Sequence, residues 1–442
     1  MPGVVIDYEL GPEWYPVEKK KGVLLKDGKT SVTGCMDVPG FLRCKVRASV
    51  DGHVYEGLAT VAYAPEELRP HTSLPADFRQ FWDTVLKEAR QIPLLPTMEL
   101  IPERCTDKVD VFHVSFQNIC NGSRTFGILC MPQKPGKYPA LLRVPGAGVR
   151  PYSGDVHMAS KGVITLEIGI HGIPVTMSQM IYDVLSKGAL NGYPYQNDNS
   201  RDKSYYKRVF AGALRAVDFI ASLPEYDGKN MGVTGSSQGG ALSVVTAALD
   251  KRITFYAAIH PAMCDHQAHL KKTAGGWPHY FYYFPQPSKE RITTAAYYDV
   301  ANFARLITAP GWFSWGYNDD VCPPTSMYAA YNAVTSPKEL HPYLETGHYW
   351  YQEQWDEWLA WLWKQMGIGA PGACTPKPVE NSFVHVNANG QFIRNGKPYY
   401  YVGTNFWYGA ILGSEGEGGN RERLHKELDF LKSIGIIICV YW

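Results

Sequence analysis

The chain has 442 residues, room for two to three domains at ~100–200 residues each. Its 43 Lys and Arg against 42 Asp and Glu leave a formal net charge of +1, so neither a nucleic-acid partner nor a polybasic membrane contact has overall support. Hydrophobic residues make up 45%, but their runs are strand-sized and fall short of the ~18 residues that suggest a membrane span, so a soluble globular protein is expected.

From Val4 to about Ala64, short alternating runs (VVIDYEL, GVLLKDG, GFLRCKVRASV, HVYEGLATVAYA) are broken by DG and PG turns. This pattern predicts an antiparallel β-sandwich module over residues 1–68. The Pro-rich AYAPEELRPHTSLP then precedes an amphipathic helix carrying Phe78, Phe81, Trp82, Val85 and Leu86 at helical spacing. Between Tyr138 and Gly369 buried strand patterns alternate with helices: PALLRVPG, GVITLEIGI, the helix around Arg208 to Leu223, NMGVTGS, FYAAIHP, GWFSWG and HPYLETG. Such alternation predicts a mostly parallel sheet covered by helices on both faces, an α/β domain over residues 69–369. A closing helix is expected from Gln352 to Met366, with Trp355, Trp358, Leu359 and Leu362 on its buried face. The Pro/Gly-rich GIGAPGACTPKPVENS reads as a linker over residues 370–382. Residues 383–442 predict a hairpin, one strand and one helix.

MGVTGSSQGGALSVVTAAL carries the chemistry. Gly235-Ser236-Ser237-Gln238-Gly239 fits G-x-S-x-G between an apolar strand and a small-residue helix, the setting of a nucleophile elbow. In an α/β-hydrolase the acid and then the histidine follow the serine. GWFSWGYNDDVCPP offers Asp319 and Asp320 after a strand, and spacing alone does not choose between them. YLETGHYW ends a further strand at His348, which is favoured over His341 at the start of that strand. Oxyanion donors are expected at the backbone N–H of Gln238 and, in LLRVPGAGVRP, of Ala147. His260, Pro261 and Trp277 are expected to line the pocket. The nine Cys show no C-x-x-C pair or zinc spacing, so neither a metal site nor a disulfide framework is indicated, and a Ser-His-Asp mechanism requires no metal or organic cofactor. The start, MPGVVIDYEL, lacks a signal-peptide pattern.

PADFRQFWDTVLKEARQIPLLP, DKSYYKRVFAGALRAVDFIASLPEYDGKNMGVTGSSQGG, GYNDDVCPPTSMYAAYNAV and GHYW together resemble carbohydrate esterase family 7, the acetyl xylan esterase and cephalosporin-C deacetylase group, over roughly Leu74 to Met366. The resemblance implies an α/β-hydrolase fold, with Ser237 as nucleophile and His348 as base. It also implies Asp319 as the acid, since the family's acid stands four residues before the first Pro of the Pro-Pro pair. Two departures stand out: Pro145-Gly146-Ala147 replaces the family's common His-Gly-Tyr, and Ile170-His171-Gly172 replaces Arg-Gly-Gln. The N-terminal module has no counterpart in the compact hexameric members, which leaves a homo-oligomer open. The tail, NGQFIRNGKPYYYVGTNFWYGAILGSEGEGGNRERLHKELDFLKSIGI, resembles the start of a glycoside hydrolase family 5 β-mannanase, whose complete (β/α)8 barrel needs ~250 residues. It is therefore expected to be a truncated, non-functional fragment, left when a frameshift or cloning boundary cut a bifunctional esterase-mannanase. The expected function is a serine esterase that removes O-acetyl groups from acetylated polysaccharide or oligosaccharide, xylan or mannan, without nucleic-acid or membrane partners. Such an enzyme works outside the cytoplasm, secreted or periplasmic, because polymeric hemicellulose does not enter cells. The alternatives are a general short-chain carboxylesterase or serine peptidase on the same fold and, in another class, a non-catalytic carbohydrate-binding protein.

Overall fold

The computed structural model describes residues 4–368 except 27 and 51, and in the tail residues 385–386, 392–394, 397–398, 403–405, 420–433 and 438–440. The chain divides into two compact units, Met1–Ala370 and Pro371–Trp442.

Four strands open the first unit: β1 (Val5–Pro12), β2 (Glu18–Leu24), β3 (Gly40–Val50) and β4 (His53–Tyr63). They form one antiparallel sheet in the order β2-β1-β3-β4. The sandwich expected from their alternation is thus a single sheet. Its second layer is the α/β body, because Phe41 of β3 is buried between Tyr317 and Tyr328, with ring centroids at 5.0 and 5.4 Å. Val54, Tyr55 and Val61 of β4 stay exposed, so among the described residues no second sheet covers them. Alternation reveals that a strand has an apolar face, but not what covers it.

The main sheet has nine strands in the order β13-β12-β11-β10-β8-β9-β7-β6-β5. These are β5 (Thr97–Leu100), β6 (Val109–Gln117), β7 (Arg124–Pro132), β8 (Tyr138–Arg143), β9 (Ile164–Ile168), β10 (Tyr226–Ser236), β11 (Phe255–Ile259), β12 (Gly311–Gly316) and β13 (Lys338–Tyr343). From β8 onward the pairings are parallel, while β5, β6 and β7 add an antiparallel edge.

The helices of the α/β body are α1 (Phe78–Gln91), α2 (Val156–Ala159), α3 (Gln179–Lys187), α4 (Tyr205–Ser222), α5 (Gln238–Leu249), α6 (Tyr280–Tyr283), α7 (Lys289–Tyr297), α8 (Val300–Ala304), α9 (Pro324–Ala333) and α10 (Gln352–Gln365). Period-two alternation survives inside the buried strands. Met231 and Val233 of β10, Tyr256 and Ala258 of β11, and Phe313 and Trp315 of β12 pack in one core cluster with α1, α4, α5 and α8. Phe255, Ala257, Ile259 and Trp312 face the other way, onto α10. In α10 the buried face is Trp358, Trp361, Leu362 and Trp363, and Trp355, expected in the core, is 39% exposed. Among the described residues no helix is long and apolar enough to cross a membrane.

In the second unit, His385–Val386, Phe392–Arg394 and Lys397–Pro398 form a small antiparallel sheet. Gly403–Asn405 pairs in parallel with Ile438–Val440, and the helix Arg421–Ser433 lies between them in sequence. This βαβ unit has one strand more than the sequence pattern suggested. The expected linker at 370–382 lies outside the described residues.

A buried histidine group sits where the N-terminal sheet meets the α/β body. The Tyr15 hydroxyl and His269 Nδ1 are 2.8 Å apart, and His269 Nε2 and His279 Nδ1 are 3.2 Å apart. Among the described residues, neither ring nitrogen of His266 has a hydrogen-bond partner. Burial, reinforced by the other two imidazoles, pushes His266 down to about 3. An unfolded His titrates near ~6.5, so as pH falls below that value the unfolded chain takes up a proton that folded His266 refuses. Stability from this group is complete above pH ~6.5 and declines toward pH 3. His266→Phe keeps the ring contact with Tyr280 and removes the titration. Urea unfolding at pH 7.5, 6 and 5 should show the variant gaining on the parent by about 1.4 kcal/mol per pH unit below 6.5. Parallel stability curves for the two proteins would refute this account.

Candidate active site

β10 ends at Ser236 and α5 begins at Gln238, so Ser237 occupies the turn between them. Its backbone is at φ 61° and ψ −122°, the strained geometry of a nucleophile elbow. The flanking glycines follow from close approach: a Cβ on Gly235 or Gly239 would lie 2.4 or 2.3 Å from the Val144 carbonyl oxygen. Any larger residue would push the elbow off the end of β8.

The acid loop follows β12. Asp319 is fully buried, and its Oδ2 accepts from His348 Nδ1 at 2.7 Å. Its Oδ1 accepts from the backbone N–H groups of Val321 and Cys322 at 2.9 and 2.8 Å. Asp320, the other acid that spacing left open, points elsewhere: its half-exposed carboxylate pairs with Arg43. His341 bonds Glu357 and stacks on Trp312, away from the acid.

His260, expected in the pocket wall, instead packs behind the acid. It is 1% exposed, and its Nδ1 lies 3.1 Å from the same Asp319 Oδ2. The strand end that carries His260 is adjacent to β12 in the sheet, which turns the side chain toward the acid loop. Burial would raise the Asp319 carboxyl, but hydrogen bonds from His260 and His348 outweigh it and hold the group at about 2. Ligand-type atoms of His260, Asp319 and His348 lie within 4.8 Å of one another, a spacing their mutual hydrogen bonds account for. Pro261 packs against Gly240 of α5. The Trp277 backbone oxygen accepts from the Met263 N–H at 2.8 Å, and the Trp277 side chain packs against the main core. No hydrogen bond joins Ser237 to His348 among the described residues, and in substrate-free enzymes such bonds are commonly long and tighten on binding.

At the base of α5 the backbone N–H of Gln238 is one of the helix's unpaired first donors. The buried Gln238 side chain ties this end down. Its Oε1 accepts from the hydroxyls of Tyr193 and Tyr206 at 2.8 and 2.9 Å, and its Nε2 donates to the Pro145 carbonyl at 3.3 Å. The facing loop is held by its carbonyls. Arg150 donates to the Gly146 and Ala147 oxygens at 3.2 and 2.8 Å, and His171 Nε2 lies 2.9 Å from the Gly148 oxygen. Because a trans peptide directs its C=O and N–H oppositely, the Arg150 bond to Gly146 turns the Ala147 N–H to the other side of the loop. His171, from the segment that departs from the family pattern, therefore helps fix this loop. Burial lowers its pKa and favours the neutral ring.

Arg43 of β3 reaches the same site from the N-terminal sheet. Its guanidinium donates to the backbone oxygens of Tyr317 and Asp319 at 2.9 and 3.0 Å and pairs with buried Glu13 at 2.6 Å. Glu13 in turn accepts from the Thr325 N–H and hydroxyl. Sequence reasoning missed Arg43, and it singled out His260 without its bond to Asp319. Nothing local marks Arg43, since it and Asp319 are 276 positions apart.

A family model described as acetyl xylan esterase (AXE1) matches residues 64–365. The acetyl esterase Axe7A of Xylanibacter ruminicola is 40% identical over 371 residues, 82% of this chain and 83% of its own. The chain belongs to the acetyl xylan esterase family. It is a carboxylic ester hydrolase, as its resemblance to carbohydrate esterase family 7 implied. The solved acetyl xylan esterase from Paenibacillus sp. R4 aligns with a TM-score of 0.60 at 27% identity, over 67% of this chain and 97% of that one. Acetyl xylan esterase 1 from Thermoanaerobacterium sp. JW/SL YS485 aligns with the same TM-score at 24% identity, over 68% and 97%, which speaks for the shared α/β-hydrolase fold. Residues 381–439 match a glycoside hydrolase family 5 β-mannosidase-like model.

Proposed function

We propose that this acetyl xylan esterase family member is a serine esterase that removes O-acetyl groups from hemicellulose, xylan and mannan alike, and from its oligosaccharides. The observation that carries the mechanism is the 2.7 Å bond between His348 Nδ1 and the buried Asp319, on the same sheet edge as the Ser237 elbow. His348 takes the Ser237 proton as the hydroxyl attacks the acetyl carbonyl, and Asp319 holds the ring and stabilises its protonated form. The N–H groups of Gln238 and Ala147 receive the oxyanion. His348 then protonates the departing sugar hydroxyl and activates the water that clears the acetyl-enzyme. Trp277 lines the acetyl pocket. The β-mannosidase-like tail supports mannan as a second substrate, and polymeric substrates place the enzyme's work outside the cytoplasm.

Acetate release from acetylated xylan and acetylated glucomannan, measured side by side with a phenyl acetate and a phenyl hexanoate, tests the reading. Both polysaccharides should be deacetylated, and the acetyl ester should far outpace the hexanoyl one. Activity on the aryl esters alone would defeat the glycan assignment and leave a general carboxylesterase.

A further inference from the structure

We propose that the cleft between the N-terminal sheet and the acid loop, walled by Trp14 and Tyr282, is a subsite for uncharged pyranose units of the substrate chain, completed by the sheet. This rests on the glycan-deacetylase reading above and extends it to the part of the substrate that does not react.

Position is the first ground. Asp320, which lines the cleft, follows directly on Asp319. Arg43 lines it too and, from the same guanidinium, holds the Asp319 backbone oxygen. His279 lies beneath Trp14, with ring centroids 4.0 Å apart. A ligand in the cleft therefore lies one residue along the loop from the acid that orients His348. Its volume, about 290 Å³, is close to the ~300 Å³ lower end of small-molecule sites.

Its chemistry is the second. The Trp14 ring packs on His279 with centroids 4.0 Å apart, and Tyr282 stands edge-on to it at 4.7 Å and 89°. Tyr282 is 42% exposed. Two fixed rings at right angles offer an apolar wall for the C–H face of a sugar, together with a phenol for its hydroxyls. The cations of the cleft already have partners: Lys19 lies 3.0 Å from Glu9, and Lys45 lies 3.8 Å from Asp320. Such pairs give hydroxyl groups both donors and acceptors without surplus charge, which suits a neutral pyranose better than a uronate or a phosphate.

The backbone supplies the third. Trp14 has φ 63°, a left-handed conformation that a bulky residue adopts only where its surroundings impose it. Here they do. Glu13 is locked to Arg43 and Thr325 on one side, and the Tyr15 hydroxyl meets His269 on the other. The strained turn holds the indole at the cleft.

The test uses the whole chain carrying Ser237→Ala, so that ligand is bound without turnover, titrated calorimetrically with unacetylated xylohexaose and mannohexaose. At least one hexaose should bind, and adding Trp14→Ala should weaken it about tenfold or more, as loss of a central aromatic contact does. Tyr282→Ala, a change at an exposed ring, should weaken it severalfold and guards against misfolding of the Trp14 variant. In otherwise native enzyme, each substitution should cost more in kcat/KM on acetylated xylo-oligosaccharides than on p-nitrophenyl acetate. No binding of either hexaose, isotherms indifferent to both substitutions, or equal losses on both esters would overturn the subsite. Failure of the esterase reading would show separately, as turnover retained by Ser237→Ala.

Discussion

Ser237→Ala should lower kcat for acetate release by about 10⁵- to 10⁶-fold while the protein still folds and binds. The size follows from the division of labour at the elbow. Removing the hydroxyl removes the acetyl-enzyme route altogether, whereas the N–H donors at Gln238 and Ala147 survive, and such donors with binding alone leave a residual ~10³–10⁴-fold over water. The fold has little reason to notice, because the strain at Ser237 is in the backbone and the elbow is held by Gly235, Gly239 and the Gln238 side chain. The neighbouring serine supplies the control. Ser236 is the last residue of β10 and has no hydrogen bond to His348 or Asp319 among the described residues, so Ser236→Ala should stay within a fewfold of the parent. Acetate assayed enzymatically with both purified variants decides the matter, and Ser237→Ala retaining more than a small fraction of parental activity would sink the mechanism.

The contrast between these two serines shows what a linear pattern conveys. G-x-S-x-G marks Ser237 because the constraints on the elbow are local: a strand, a tight turn, and glycines forced by one carbonyl. The order acid then histidine was legible for the same reason, since each follows a strand whose apolar run is visible. Whether Asp319 or Asp320 bonds the imidazole was open from spacing, because one residue's shift reverses the side chain and only the family likeness chose. His260 was legible as a residue at the sheet's functional edge but not as a partner of Asp319, because that contact runs sideways between adjacent strands 59 residues apart. The antiparallel edge of β5 to β7 was missed although Asn121-Gly122 lies in the turn between β6 and β7. The alternation of parallel strands with helices begins only at β8. The N-terminal sheet shows the limit most clearly: its strands could be read, but its second layer and its Arg43 contact with the acid loop depend on residues more than 270 positions away.

That contact bears on the second large effect. Asp319→Asn should cost about 10⁴-fold in kcat, and Asp320→Asn no more than a fewfold, the usual reach of an exposed ion pair. Asp319 receives four donors on two oxygens: His348 and His260 at Oδ2, Val321 and Cys322 at Oδ1. Asparagine has one acceptor oxygen, so its NH2 must face one of these pairs. The backbone N–H groups cannot change their role, but an imidazole can shift its proton. The amide oxygen will therefore stay with Val321 and Cys322, and the NH2 will turn to the histidines. His348 must then accept at Nδ1 and carry its proton on Nε2, the wrong tautomer to receive one from Ser237. His260 is forced into the same exchange, so it offers no rescue. Arg43 continues to hold the loop by its backbone oxygens, which keeps the loss chemical rather than structural. Matched thermal melts with a collapse in kcat are expected for Asp319→Asn. A larger loss from Asp320→Asn would mean that the imidazole is oriented by the other acid.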